Sequence, residues 1–263
     1  MWLKNLNKIK TNNYSQGNQD GLIEYIISNV NIENRFCVEF GYSSNDYIDF
    51  GDSGANCSNL VLNHGWDNLF MDGSNQNEKI NLFKHFITTD NILDLFDKYN
   101  VPKRLGYLSI DVDSTDLWLT DKILEKYSPT FFSVEFNPNV PIDYAITLPN
   151  DPKKSVWLGS KVFGCSLKCL YIVGKKHGYT LIFAGKFSKD GHHDAFFVRN
   201  DQLMGVVNLP TLEDFRDVCE PIHGKDNKRQ YRLCLDYEYF LKTNDLQKSQ
   251  HKIKSIARKF FCK

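Results

Sequence analysis

Hydrophobic and polar positions along the chain follow two periods. Residues 19–31 place apolar groups at 22, 23, 26, 27 and 30, the spacing of an amphipathic helix. Short apolar runs, each ending in acidic or turn residues, predict strands at about 36–40, at 68–71 before Asp72-Gly73, at Phe86-Ile87-Thr88, at 106–110 and at 130–136. The intervening segments 77–85, 90–99 and 116–127 read as helices, the second with an acidic, capped start. The polar segment 42–58 reads as a long loop leading into a helix. After Pro141 a loop containing Pro and Asp runs to about 155, where it could line or cover a site. A helix is predicted over 165–177, with Gly178 closing it. Thr180–Ala184 and Ala195–Arg199 then read as a closing antiparallel pair, and the rest, from 200, as helical and peripheral. Strands alternating with helices imply a mostly parallel sheet with right-handed crossovers. No internal repeat or low-complexity linker breaks this order.

Three of the predicted strands end in acid. Phe36-Cys-Val-Glu-Phe-Gly41, Gly106-Tyr-Leu-Ser-Ile-Asp-Val-Asp113 and Phe131-Phe-Ser-Val-Glu-Phe-Asn137 share the layout. Open α/β sheets bind ligands at the carboxyl ends of their strands. Acidic strand ends therefore predict one cleft for hydroxyl-rich, cationic or metal-bearing ligands.

Composition narrows the classes. With 263 residues, 41% hydrophobic and 14% aromatic, the chain can bury a sizeable core. Lys+Arg and Asp+Glu are both 32, a balance that argues against nucleic acid or an anionic membrane as partner. The basic segment from Lys248 reads as a solvated helix rather than a binding tail. No apolar stretch approaches the ~20 residues of a membrane span, and Met1–Lys8 lacks the apolar stretch of a signal peptide. The seven cysteines are scattered without zinc spacing. Free thiols and a cytoplasmic location are the expectation.

Each candidate residue has a plainer alternative. Gly41 permits a tight turn beneath a ligand, yet Gly41-Tyr-Ser-Ser-Asn-Asp46 lacks the G-x-G-x-x-G of dinucleotide folds, and no phosphate-loop motif exists. Asp72 could accept both hydroxyls of a ribose, or be a turn residue before Gly73. Asp111 and Asp113 lie one pleat apart and could hold a divalent ion. Asp113 or Ser114 could instead cap the following helix. Glu135 and Asn137 could complete an oxygen ligand set, or Glu135 could be a plain hydrogen-bonding group. His192 and His193 offer one general base between them, or neither.

Several motifs in order carry a resemblance over residues 14 to 202. They are Tyr14-Ser15-Gln16 with Gln19-Asp20-Gly21, Val38-Glu39-Phe40-Gly41, Asn63-His-Gly65-Trp66 leading to Met71-Asp72-Gly73, and Ser109-Ile-Asp111-Val-Asp113 with Asp116-Leu-Trp118. Val134-Glu-Phe-Asn137, Phe163-Gly-Cys-Ser-Leu-Lys168 and Asp194-Ala-Phe-Phe-Val-Arg199 continue the series. The chain thus resembles the FkbM-type S-adenosylmethionine-dependent methyltransferases.

The resemblance implies a Rossmann-like methyltransferase domain over 1–202 and a helical C-terminal extension over 203–263. It implies methyl transfer to an oxygen of a sugar or nucleotide-linked precursor of a bacterial surface polysaccharide, capsule or lipopolysaccharide. Glu39 and Gly41 would approach the methionine part of the cofactor, and Asp72 with Gly73 the ribose. Asp90 and Asn91 would lie near the adenine, and Tyr14, Ser15 and Gln16 would cover the cofactor. Asp111 is shared between cofactor, catalysis and metal. Asp113, His192 or His193 would deprotonate the acceptor, or Mg2+ or Mn2+ on Asp111 with Glu135 or Asn137 would lower its pKa. Ser43-Ser44-Asn45 and the paired His192-His193 depart from the family pattern.

Two competing functions are a nucleotide-sugar glycan transferase using Asp111-Val-Asp113 with a metal, and a domain that only binds partners. The aromatic segment Tyr231 to Phe240 could pack in a homodimer interface.

Overall fold

A computed structural model describes residues 2–15, 17–42, 46, 55–151, 161–187, 193–219, 231 and 233–261. The crossovers expected from the hydrophobic pattern build a seven-stranded sheet: β1 (Phe36–Phe40), β2 (Asp67–Asp72), β3 (Leu82–Lys84), β4 (Tyr107–Ile110), β5 (Phe131–Glu135), β7 (Tyr179–Lys186) and β8 (His193–Arg199). Its order is β3-β2-β1-β4-β5-β8-β7. β1 to β5 are parallel, and β8 enters antiparallel to both β5 and β7. The first five strands have the doubly wound order, with the reversal of strand order between β1 and β4. β6 (Ile146–Thr147) and β9 (Leu235–Asp236) form a separate antiparallel pair.

Both faces are covered, and the period of two sorts the side chains between them. Val38, Phe40, Leu108, Ile110, Phe132 and Val134 pack toward α3 (Ile92–Lys98), α4 (Asp116–Leu124) and α5 (Leu167–Lys176). Cys37, Tyr107 and Phe131 pack toward α1 (Gln19–Ile27) and α2 (Ser58–His64). On that second face the strands also carry Glu39, Ser109 and Ser133, which lie in register across β1, β4 and β5.

The C-terminal segment holds α6 (Tyr237–Thr243) and α7 (Leu246–Phe261). It is less peripheral than expected, since Cys219, Leu235 and Tyr237 belong to the main core. Trp118 on α4 sets its ring edge-on to Tyr237 and Phe240, centroids 5.6 Å apart in both pairs. Among the described residues, no helix is long and apolar enough to cross a membrane. The six described cysteines are buried and free.

Two sequence expectations fail around residue 80. Residues 77–85 form a short 3-10 turn, Glu78–Ile80, followed by β3 rather than a helix. The Asn77 side chain caps the turn, and Asn81 in the left-handed region (φ 54) ends it. Phe86-Ile87-Thr88, expected as the third strand, is loop.

Candidate active site at the carboxyl edge of the sheet

The turn after β1 brings the chain to the site. Gly41 has φ +72, and a Cβ there would sit 2.0 Å from the carbonyl oxygen of Asp111. The position is therefore closed to any other residue without movement of the β4 end. Gly73 makes no such demand, because a Cβ would meet nothing within 4 Å.

Glu39, on the same strand, is buried. Its Oε1 accepts the Asn56 N–H at 2.9 Å and its Oε2 the Cys57 N–H at 2.8 Å. It thereby supplies the donors at the start of α2 with acceptors, a cap drawn from another element. Burial pushes its carboxyl up to about 8 despite those two N–H groups. The Asn56 amide continues the polar line by donating to Ser109 Oγ at 3.1 Å, and Ser133 Oγ reaches Ser109 Oγ at 3.4 Å.

Past β4 the backbone enters a turn around Asp116. The Asp116 carboxylate accepts the Val112 N–H on Oδ1 and the Ser114 N–H on Oδ2, both at 2.8 Å. Burial raises this carboxyl to about 7. Neither Asp113 nor Ser114 caps α4, whose N-cap position is Thr115. Asp113 instead takes the left-handed conformation (φ 61), a strained state for a residue with a side chain. The turn, rather than the pleat, brings Asp113 back beside Asp111.

Asp111, Asp113 and Glu135 each offer a carboxylate oxygen, and these atoms lie within 4.8 Å of one another. Asp194, directly opposite Glu135 on β8, adds a further negative charge. Desolvation first, then the neighbouring carboxylates Asp113, Asp116, Asp194 and Glu39, hold the Asp111 carboxyl well above the usual range. Glu135 is raised by desolvation and then by Asp111, Asp113, Asp116 and Asp194. Such a cluster favours a cation, a shared proton or a donor-rich ligand.

Other expected residues stand differently. Asn137 is buried, donates to the carbonyls of Lys161 (3.0 Å) and Phe163 (3.1 Å), and accepts the Asn139 N–H (2.9 Å). It ties the base of the following loop, and Asp113 takes its place in the oxygen set. Asp72 Oδ1 accepts the N–H groups of Ser74 and Asn75, both at 2.7 Å. This is the turn role, and Oδ2 lies outside it. Asn91 accepts the Thr88 N–H and donates to the Phe86 carbonyl, so its amide shapes the loop before α3. Asp90 is exposed beside it. His193 is half-buried, with its ring edge-on to Phe136 at 5.7 Å. Gln16 and His192 lie outside the described residues.

Tyr14 and Ser15 are held to α1. Asp20 Oδ2 accepts the N–H groups of Asn13 (2.7 Å), Tyr14 (2.6 Å) and Ser15 (2.9 Å). Asp20, Asp116, Asp194 and Asn56 were not among the candidates. Asp20, Asp116 and Asp194 lie within the resemblance motifs without a role assigned there, and Asp194 meets Glu135 only through the antiparallel insertion of β8.

Fold and site define an α/β protein with a doubly wound parallel core, an antiparallel closing hairpin and an acidic cleft at the carboxyl edge. No protein-family model and no curated protein sequence matches the chain. Among solved structures, the chain is similar to the N-terminal domain of EvdMO1 with SAH bound, at 9% identity and TM-score 0.42, covering 75% of this chain and 94% of that one. It is also similar to magnesium protoporphyrin IX methyltransferase from Synechocystis PCC 6803 with bound SAH, at 9% identity and TM-score 0.40 (69% of this chain, 81% of that one). A SAM-dependent methyltransferase from Aquifex aeolicus follows at 8% identity and TM-score 0.29, with 66% and 88% covered.

Proposed function

We propose that the chain is an S-adenosylmethionine-dependent O-methyltransferase. The observation that carries this reading is the carboxylate set at the carboxyl edge of a 3-2-1-4-5 sheet, on the same positions that carry the sequence resemblance. A cofactor with a sulfonium and an ammonium group suits a cleft that carries Asp111, Asp113 and Glu135. Gly41 leaves the backbone open beneath it, and Asp72 Oδ2 has the acceptor chemistry for a ribose hydroxyl. Tyr14 and Ser15, with Gln16, would cover it. The domain would span 1–202, with 203–263 as its extension.

The acceptor in this reading is a hydroxyl of a sugar or nucleotide-linked precursor of a surface polysaccharide, met in the cytoplasm. Asp113, His193 or His192 would take its proton. Asp111, Asp113 and Glu135 fit a divalent ion by ligand type and spacing. Such an ion would lower the pKa of the acceptor hydroxyl. The test is transfer of labelled methyl from S-adenosylmethionine to a panel of sugar nucleotides, with and without chelator. The proposal expects label on an acceptor oxygen, with at least about a hundredfold loss in Asp113→Asn, the scale of general-base removal. Absence of methyl transfer together with Mn2+-dependent consumption of a sugar nucleotide would support the glycan transferase instead.

A further inference from the structure

We propose that Gln19 is a positioning residue that latches the N-terminal segment across the cleft by bridging it to Asp194. This rests on the reading that the cleft holds S-adenosylmethionine. Asp20, fully buried, gathers three successive backbone N–H groups of residues 13–15 on one oxygen, an anion nest that pins the segment to α1. The Asp20 N–H returns a bond to Ser15 Oγ at 3.2 Å. From there the segment reaches both sides of the crevice. On the β1–α2 side, Asn13 Nδ2 donates to Asn59 Oδ1 at 3.3 Å. On the β8 side, Gln19 Oε1 accepts the Gly17 N–H at 2.8 Å while its Nε2 donates to Asp194 Oδ2 at 3.1 Å. Gly17 is pressed against the end of β7, where a Cβ would sit 2.0 Å from the Phe187 carbonyl oxygen.

The orientation of the Gln19 amide is fixed by its neighbours. Reversed, it would set its oxygen against a carboxylate and its NH2 against an N–H. Gln19 and Asp194 are both buried, so the bond is shielded from water and charge-assisted. Asp194 stands opposite Glu135 within the acidic cluster. Gln19 therefore joins the covering segment to the acidic cluster of the cleft, and in the proposed latch this bond opens when a bound cofactor is released.

The test uses near-isosteric exchanges in the full chain. Gln19→Glu keeps the acceptor for Gly17 but sets a carboxylate against Asp194. Adding Asp194→Asn restores a donor–acceptor pair of reversed polarity. Two quantities are read: dissociation of S-adenosylhomocysteine by stopped flow, and hydrogen exchange of the amides of Asn13, Tyr14 and Ser15 without ligand. The latch predicts dissociation about tenfold faster or more in Gln19→Glu, the scale of a hydrogen bond to a charged group. It also predicts faster exchange at the three amides and recovery of both in the double variant. Unchanged rates in Gln19→Glu, or no recovery in the double variant, would overturn it. Should Gln19→Glu not fold, Gln19→Met, which removes both bonds without adding charge, enters the same measurements. If the unaltered protein binds no S-adenosylhomocysteine, the cofactor reading fails by itself, and amide exchange alone decides the latch.

Discussion

Gly41 shows how one residue can position a site through its backbone alone. Its left-handed backbone and its approach to the Asp111 carbonyl hold the β1 and β4 ends together. Gly41→Ala is expected to destabilise the fold by about 1–3 kcal/mol from backbone strain alone, read as a lower urea midpoint at unchanged slope. A midpoint equal to that of the unaltered protein would show that the close approach is dispensable. Gly41 was legible because a glycine ending an apolar run is a local signal. Asn91 and Asn137 were not, because their amides meet backbone groups whose positions depend on loop paths. Asp72 was read both ways, and the structure shows its turn role directly.

At the scale of elements, apolar runs located β1, β2, β4 and β5 within a residue or two, since a strand buried on both faces is a nearly continuous apolar run. Residues 77–85 misled because Ile80, Leu82 and Phe83 suit a helix face, and only Asn81 and the pairing of β3 with β2 decide otherwise. The β6–β9 pair was invisible, being two residues long and joined across some ninety positions of sequence. It matters because the C-terminal segment leans on α4 there. Trp118 also donates to the Leu148 carbonyl at 2.9 Å. Trp118→Ala should therefore loosen both the loop and the C-terminal segment, at about 3 kcal/mol, the low end for a packed Trp. Limited proteolysis near Leu233 should accelerate in parallel, and a resistant variant would show that β6–β9 holds the segment unaided.

Across the whole molecule, buried carboxyls give an unusual pH dependence. Glu39, with a usual value of 4.5, is raised to about 8, and Asp116, with a usual value of 3.8, to about 7. The folded state therefore holds protons that the unfolded chain releases. The stability tied to these groups is fully present below pH 3.8–4.5 and is lost as pH rises through about 7 and 8. Carboxylates lowered by ion pairs, such as Asp121 and Glu33, act at the acid end and leave the interval from pH 7 to 8 to the raised carboxyls, Glu39 together with Asp111 and Glu135. Thermal midpoints should fall across that interval, and Glu39→Gln should flatten the fall. A midpoint rising from pH 7 to 8 would contradict this assignment.

The central claim is that the acidic carboxyl edge binds S-adenosylmethionine. Thermal unfolding with and without S-adenosylhomocysteine, repeated for Asp72→Ala, tests it most directly, because a ligand that binds only the folded state must raise the midpoint. The account predicts a rise that grows with ligand concentration and is lost in Asp72→Ala. No shift at millimolar ligand in the unaltered protein would contradict it.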